Sequence, residues 1–190
     1  LNDTVKAVKV DGAEATVDNV KAGAYKLSRP FNIATKGEPT GLAKDFINFI
    51  LSKEGQAVVT DNKYIAVNDT AESFVSDGSS GQIAVGGSSS VSPVMEKLIE
   101  AYKSVNPNAS IDLQTSDSTS GMTGAMDGTF AIGMASRELK DEEAAQLTGT
   151  AIALDGIAVI VNPANTIDEL SMDQVKSIYV GDITDWGDLA

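Results

Sequence analysis

Gln82-Ile83-Ala84-Val85-Gly86-Gly87-Ser88-Ser89-Ser90-Val91-Ser92-Pro93 is the stretch on which the fold turns. Ile83-Ala84-Val85 is a short apolar run of the kind that makes a buried strand. Two glycines and three serines follow, and Pro93 then suits the first turn of a helix, where its missing N–H costs nothing. Val94, Leu98, Ile99 and Tyr102 fall on one face at helical spacing, so the helix is expected over 93–104. The unit is strand, hydroxyl-rich loop, helix.

Downstream the unit recurs. A strand is expected at 110–114, a short helix near 120–126, a strand near 130–134 and a helix near 141–147. The apolar runs 151–154 and 156–161 read as strands, and Asn162-Pro163 ends the second. Ser171 reads as the N-cap of a last helix through Tyr179. Strands alternating with helices predict a doubly wound, mainly parallel α/β sheet. Upstream, 29–35 reads as a strand and 41–51 as a strongly apolar helix with Leu42, Phe46, Ile47, Phe49 and Ile50. Helical continuation at 55–60, a short strand at 64–67 and an edge strand at 6–10 complete the expectation. Between the blocks, residues 68–82 are polar, small and Gly/Ser-rich, the composition of a flexible linker.

Composition narrows the function. The chain has 190 residues, no histidine and no cysteine, which removes disulfides, thiolate chemistry, the usual zinc ligands and the commonest general base. No Walker-type loop with its lysine is present. A serine nucleophile would need a lysine as base, and no Ser-x-x-Lys occurs in the hydroxyl-rich loops. An enzyme and a cofactor are therefore not expected. The formal net charge of −13 argues against nucleic acid, which demands a basic face. It does not exclude a small anion, because screening over about 8 Å at physiological salt leaves local dipoles in control of a cleft. No apolar run approaches the roughly 20 residues of a membrane helix, and no secretion signal is read at the start.

Three strand-to-helix loops carry the candidate site: 86–93, Thr115-Ser116-Asp117-Ser118-Thr119-Ser120-Gly121, and Gly133-Met134-Ala135-Ser136-Arg137-Glu138. Ligands of open parallel sheets bind outside the carboxyl ends of strands, where helix N-termini present unpaired N–H groups. Each loop alone reads as an N-cap. Three together, with the guanidinium of Arg137, suit a small tetrahedral oxyanion. Glu138, Asp141, Glu142 and Glu143 lie near Arg137 in sequence and leave open a plain surface charge.

These loops resemble those of the phosphate-binding proteins of ABC-type phosphate importers. The stretch 85–96 resembles the family's first loop, Ile132-Gly133-Met134-Ala135-Ser136-Arg137-Glu138-Leu139 its third, and Leu154-Asp155-Gly156-Ile157-Ala158-Val159-Ile160-Val161-Asn162-Pro163 the strand into its hinge. Leu27-Ser28-Arg29-Pro30-Phe31 with 35–41 resembles the family's return into the first lobe, and 52–56 with Tyr64-Ile65 its C-terminal helices. Family C-terminal sequence thus precedes N-terminal sequence. The resemblance implies one lobe of a type II periplasmic-binding-protein fold, circularly permuted, with 1–67 as the family's C-terminal portion (1–26 a second-lobe remnant, 27–67 first lobe). It further implies a linker at 68–82, first-lobe sequence at 83–164 and a second-lobe remnant at 165–190. The family's Gly-Ser-Gly-Thr-Arg-like segment, which closes over phosphate, has no equivalent here.

The resemblance implies half a phosphate site. Ser89 and Ser118 align with family hydroxyl ligands, and Ser90, Ser136 and Arg137 are their companions. Some family members carry an aspartate at the Ser136 position, which accepts the proton of hydrogen phosphate; it is absent here. The implied partners are inorganic phosphate and, for the parent protein, a membrane permease, at an extracytoplasmic location. Binding is expected to be weak with one lobe, and a homodimer through the surface of the missing lobe is a further expectation. The alternatives are an engineered single-lobe folding product that does not bind, and a junction between tandem copies.

Overall fold

The computed structural model describes residues 3–189; residues 1, 2 and 190, the outer ends of the two expected second-lobe remnants, lie outside them. In chain order the elements are β1 (Lys6–Ala7), β2 (Lys9–Val10), α1 (Val17–Lys21), β3 (Ser28–Thr35), α2 (Gly41–Leu51) and α3 (Lys53–Asp61). Then come β4 (Gly81–Ser88), α4 (Ser92–Val105), β5 (Ala109–Ser116), α5 (Ser118–Asp127), β6 (Ile132–Ala135) and α6 (Asp141–Ala144). The last are β7 (Thr148–Gly156), β8 (Ile160–Val161), β9 (Glu169–Leu170) and α7 (Met172–Val180). The chain divides into two compact units, residues 29–155 and residues 1–28 with 156–190. The boundary between these units lies at residues 155 and 156.

The 29–155 unit is an α/β sheet in the order β5-β4-β6-β3-β7. The strand–loop–helix repeats make β4 parallel to both β5 and β6. The strand from the upstream block, β3, enters the other way: Asn32 pairs with Ala135 and Ala34 with Gly133, antiparallel. The sheet is mixed as a result. Its pleat separates two cores. Ile33 and Met134 point to the side of Phe46, Phe49 and Ile50 from α2 and of Met95, Leu98 and Tyr102 from α4, while Ala34 and Ala135 face Met122 and Ala125 of α5. Helices cover both faces, the doubly wound arrangement.

Four expected elements came out differently: of the strand expected at 156–161 only β8 (Ile160–Val161) forms, with Gly156 ending β7, and the other three differ for local reasons. Residues 64–67 form no strand. Ile65 makes one bridge to Leu154, but the Val67 N–H donates to Oε1 of buried Gln56 at 2.9 Å, so the backbone is satisfied by a side chain. Residues 130–131 precede β6 because Phe130 turns inward: its ring fills the space that a side chain on Gly86 or Gly124 would take. Gly81 and Gln82 belong to β4 and not to the linker.

Residues 68–80 have neither helix nor strand, yet they are fastened to the unit. Buried Asp45 of α2 accepts from the Ser76 hydroxyl (2.7 Å), the Asp77 N–H (3.0 Å) and the Tyr102 hydroxyl (2.6 Å). Asn106 Nδ2 donates to the Ser79 carbonyl at 2.7 Å, and the Phe74 ring stacks edge-on against Phe49 at 5.3 Å. A segment of flexible composition is thus a strap across α2 and α4.

The second unit is thinly knit. Lys6 and Ala7 pair with Val161 and Ile160, and Lys9 and Val10 run parallel to Glu169 and Leu170. The expected edge strand at 6–10 is these two short pieces. Val8, Val10, Val20, Tyr25 and Leu170 are buried in this unit, and Tyr25 donates to the Ile157 carbonyl at 2.9 Å. Helix α7 is capped as its sequence predicts: Ser171 Oγ accepts from the Gln174 N–H at 3.1 Å, and Gln174 Oε1 accepts from the Ser171 N–H at 2.8 Å.

Candidate functional site

The three hydroxyl-rich loops meet at the ends of β4, β5 and β6, and glycine makes that possible. Gly87 has φ +136°, and a Cβ there would lie 2.3 Å from the Met134 carbonyl oxygen. A Cβ on Gly121 would lie 2.6 Å from the same oxygen and 2.7 Å from Gly87 Cα. The start of α5 therefore packs backbone to backbone on β4 and β6, a distance only residues without side chains allow.

On this glycine floor the hydroxyls interlock. Ser88, 3% exposed, donates to Ser136 Oγ at 3.0 Å. The Ser136 N–H donates to Ser118 Oγ at 3.1 Å. The Ser89 N–H donates to the Ser116 carbonyl at 2.9 Å, and the Ser92 and Thr115 hydroxyls pair at 2.9 Å. Ser89 is exposed, whereas Ser90, Ser118 and Ser136 are half-buried. Ser118, Ser136 and Ser88 are thus joined directly, and Ser89 stands one residue from Ser88.

The two helix starts differ. At α4 the N-cap is Val91, which has no side-chain oxygen to give, so no side chain caps the first amides. At α5 the cap is Asp117, accepting from the Thr119 N–H (2.8 Å), the Ser120 N–H (3.1 Å) and the Ser120 hydroxyl (2.6 Å). Those bonds, the Ser120 hydroxyl foremost, hold the exposed Asp117 carboxyl below its ordinary pKa. One helix start is open and the other carries a carboxylate.

Arg137 is not a free cation. Nη1 and Nη2 grip Glu143 in a two-pronged pair at 2.7 and 2.8 Å; Nη1 also donates to the Glu138 carbonyl at 2.9 Å, and Nη2 reaches Thr119 Oγ1 at 3.4 Å. Glu143 is 2% exposed and also accepts from the Lys140 N–H at 2.8 Å. Its hydrogen bond with Arg137 lowers the carboxyl pKa against the opposing effect of burial, and the same bond raises that of Arg137. Sequence reasoning placed Glu143 near Arg137 but did not see that the first turn of α6 turns it inward. It also passed over Ser88 and Thr119 as individual site residues. The signal for Ser88 was its place as the last residue of the strand, directly after the glycine pair.

Set beside known proteins, this architecture has clear relatives. The PBP superfamily domain matches residues 73–190, which sets the class. Phosphate-binding protein PstS 2 of Streptococcus agalactiae is 52% identical over 192 positions, covering 100% of the chain and 65% of that relative. The crystal structure of a phosphate ABC transporter's phosphate-binding protein from Streptococcus pneumoniae superposes with TM-score 0.95 at 46% identity, covering 100% of this chain and 74% of that one. A Clostridium perfringens substrate-binding protein, solved with bound phosphate, matches 57% of this chain and 45% of its own at 43% identity, TM-score 0.50. The chain belongs to the PBP superfamily, among the phosphate-binding proteins of ABC transporters. It spans about two thirds of the length of the streptococcal relatives. The S. agalactiae match runs through the whole chain in one alignment, so the order of segments met here is also that of a natural protein and needs no engineering.

Proposed function

We propose that this chain supplies one face of a phosphate site in a solute-binding protein for ABC-type uptake, with Ser89, Ser90, Ser118 and Ser136 facing the oxyanion and Arg137 at its rim. The observation that carries this reading is the interlocked Ser88–Ser136–Ser118 cluster on a glycine floor beside the uncapped start of α4. Hydroxyls and backbone amides there are preorganised donors for a small anion. The names of the streptococcal relatives and the phosphate held by the clostridial protein support the same ligand. In this reading residues 29–67 and 83–155 are the C-terminal and N-terminal parts of one lobe, joined through the strap, and the residues flanking them belong to a second lobe. The protein binds and releases without chemistry, outside the cytoplasm, and hands phosphate to a membrane permease.

One lobe alone cannot enclose its ligand, and open donors stay solvated, so residues 1–190 by themselves are expected to bind weakly. Titration calorimetry with phosphate, with sulfate as control, tests this. Saturable, phosphate-selective heat in the millimolar range is expected. Silence at every concentration would refute the lobe as a recognition element, and micromolar saturation would refute the need for a second lobe. A second reading, self-association, draws on Tyr179, Val180 and Trp186, which are 82%, 61% and 49% exposed in the smaller unit. Light scattering across a hundredfold concentration range separates the two, since a constant monomer mass removes the second.

A further inference from the structure

Resting on the phosphate reading, we propose that Arg137 and Glu143 form a neutral strut that positions the loop after β6, and that this face of the site holds the oxyanion with uncharged donors. Arg137 has five N–H donors. Four are committed to the two Glu143 oxygens, the Glu138 carbonyl and Thr119 Oγ1. A two-pronged grip on phosphate through Nη1 and Nη2 would have to strip Glu143, which sits 2% exposed and would be left as an unpaired buried carboxylate. The pair is therefore worth more intact than opened.

What the strut fixes is visible on either side. Arg137 follows Ser136, whose N–H reaches Ser118 Oγ and whose Oγ accepts from Ser88. Its Nη2 touches Thr119 in the first turn of α5, and Asn32 Nδ2 donates to the Arg137 carbonyl at 2.9 Å, tying the same residue to β3. Glu143 closes the loop from below through the Lys140 N–H. Arg137 and Glu143 are positioning residues here, with charges that cancel.

A charge-neutral cycle tests this: Arg137→Gln, Glu143→Gln and the double variant, titrated with inorganic phosphate by amide chemical shifts of Ser118 and Ser136. For a strut, each single variant weakens phosphate about tenfold, because one removes the fork and the other its charged acceptor. The double variant, whose two amides can pair, recovers most of that loss. If Arg137 gripped phosphate by its charge, Glu143→Gln would free the guanidinium and tighten binding, and the double variant would match Arg137→Gln; that pattern overturns the proposal. Thermal midpoints follow the same cycle without ligand, so a wild-type chain that ignores phosphate sinks the functional reading, while a coupled stability cycle still supports the strut and an additive one rejects it. Should the glutamine variants not fold, Arg137→Lys decides. It keeps the charge and loses the fork, so it binds like wild type only if charge is what matters.

Discussion

Removing one hydroxyl from the strap's anchor, by Tyr102→Phe, leaves volume and ring contacts unchanged and isolates a single interaction. The Tyr102 hydroxyl donates to Asp45 at 2.6 Å and accepts from Asn106 Nδ2 at 3.0 Å, and all three residues are buried. A hydrogen bond to an ionised acceptor is worth about 1.5–3 kcal/mol, and here the acceptor stays buried with one donor fewer, so a loss of ~2–3 kcal/mol is expected. For a chain of this size that lowers the thermal midpoint by about 4–12 °C. The pH dependence has a definite sign. Burial alone would raise the Asp45 pKa, but the hydrogen bonds from Tyr102, Asp77 and Ser76 outweigh it and hold the folded value below the ordinary 3.8. Asp45 therefore stabilises the fold above that pH and loses its contribution as pH falls through the lowered value. Tyr102→Phe moves the folded value back up, so the gap between wild type and variant is full at pH 7 and closes in acid. Urea denaturation followed by far-ultraviolet circular dichroism at pH 7 and pH 3 measures both. Limited proteolysis adds a local readout, with faster cleavage within 68–80 expected. A change under about 0.5 kcal/mol at pH 7, or strap cleavage no faster than wild type, would refute the anchoring role.

Further outcomes follow from the same contacts. Gly87→Ala places a methyl 2.3 Å from the Met134 carbonyl at a φ of +136°, so loss of 3 kcal/mol or more, or failure to fold, is expected by thermal melt. Ser118→Ala removes the acceptor of the Ser136 N–H and should cost ~1 kcal/mol in stability together with most of the phosphate response in calorimetry. In the smaller unit, Ser171→Ala removes the Oγ that accepts from the Gln174 N–H and leaves the bond from the residue-171 backbone N–H to Gln174 Oε1, and a loss of ~1 kcal/mol should appear in amide exchange of the first α7 turn.

Much of the fold was legible because it is written in local pattern. The apolar run at 83–85, the helical spacing of Val94, Leu98 and Tyr102, and the cap at Ser171 each depend on neighbours a few residues away. The α2 bounds were readable for the same reason, with seven buried residues on that helix. What escaped depends on distant partners. The strap looked flexible because Ser76 and Asp77 are ordinary linker residues, and nothing in their vicinity announces the buried carboxylate of Asp45, thirty-one positions earlier. Residues 64–67 looked like a strand because the side chain that satisfies Val67 comes from Gln56. The antiparallel entry of β3 was hidden too, since its direction is set by pairing with β6 and not by its own residues. At the site, the loops could be found by composition, but the neutralisation of Arg137 needed the inward turn of Glu143.

The position of β3 also dictates when the fold can form. It sits between β6 and β7, and its partner residues in β6 lie roughly a hundred positions further along the chain. At synthesis rates of about 5–20 residues per second, the β3 residues Asn32, Ile33 and Ala34 wait about 5–20 s after leaving the ribosome before β6 exists to pair with them. Contacts this remote in sequence also slow refolding of the finished chain. The first-made strand of the sheet is thus the one that waits longest for its partner.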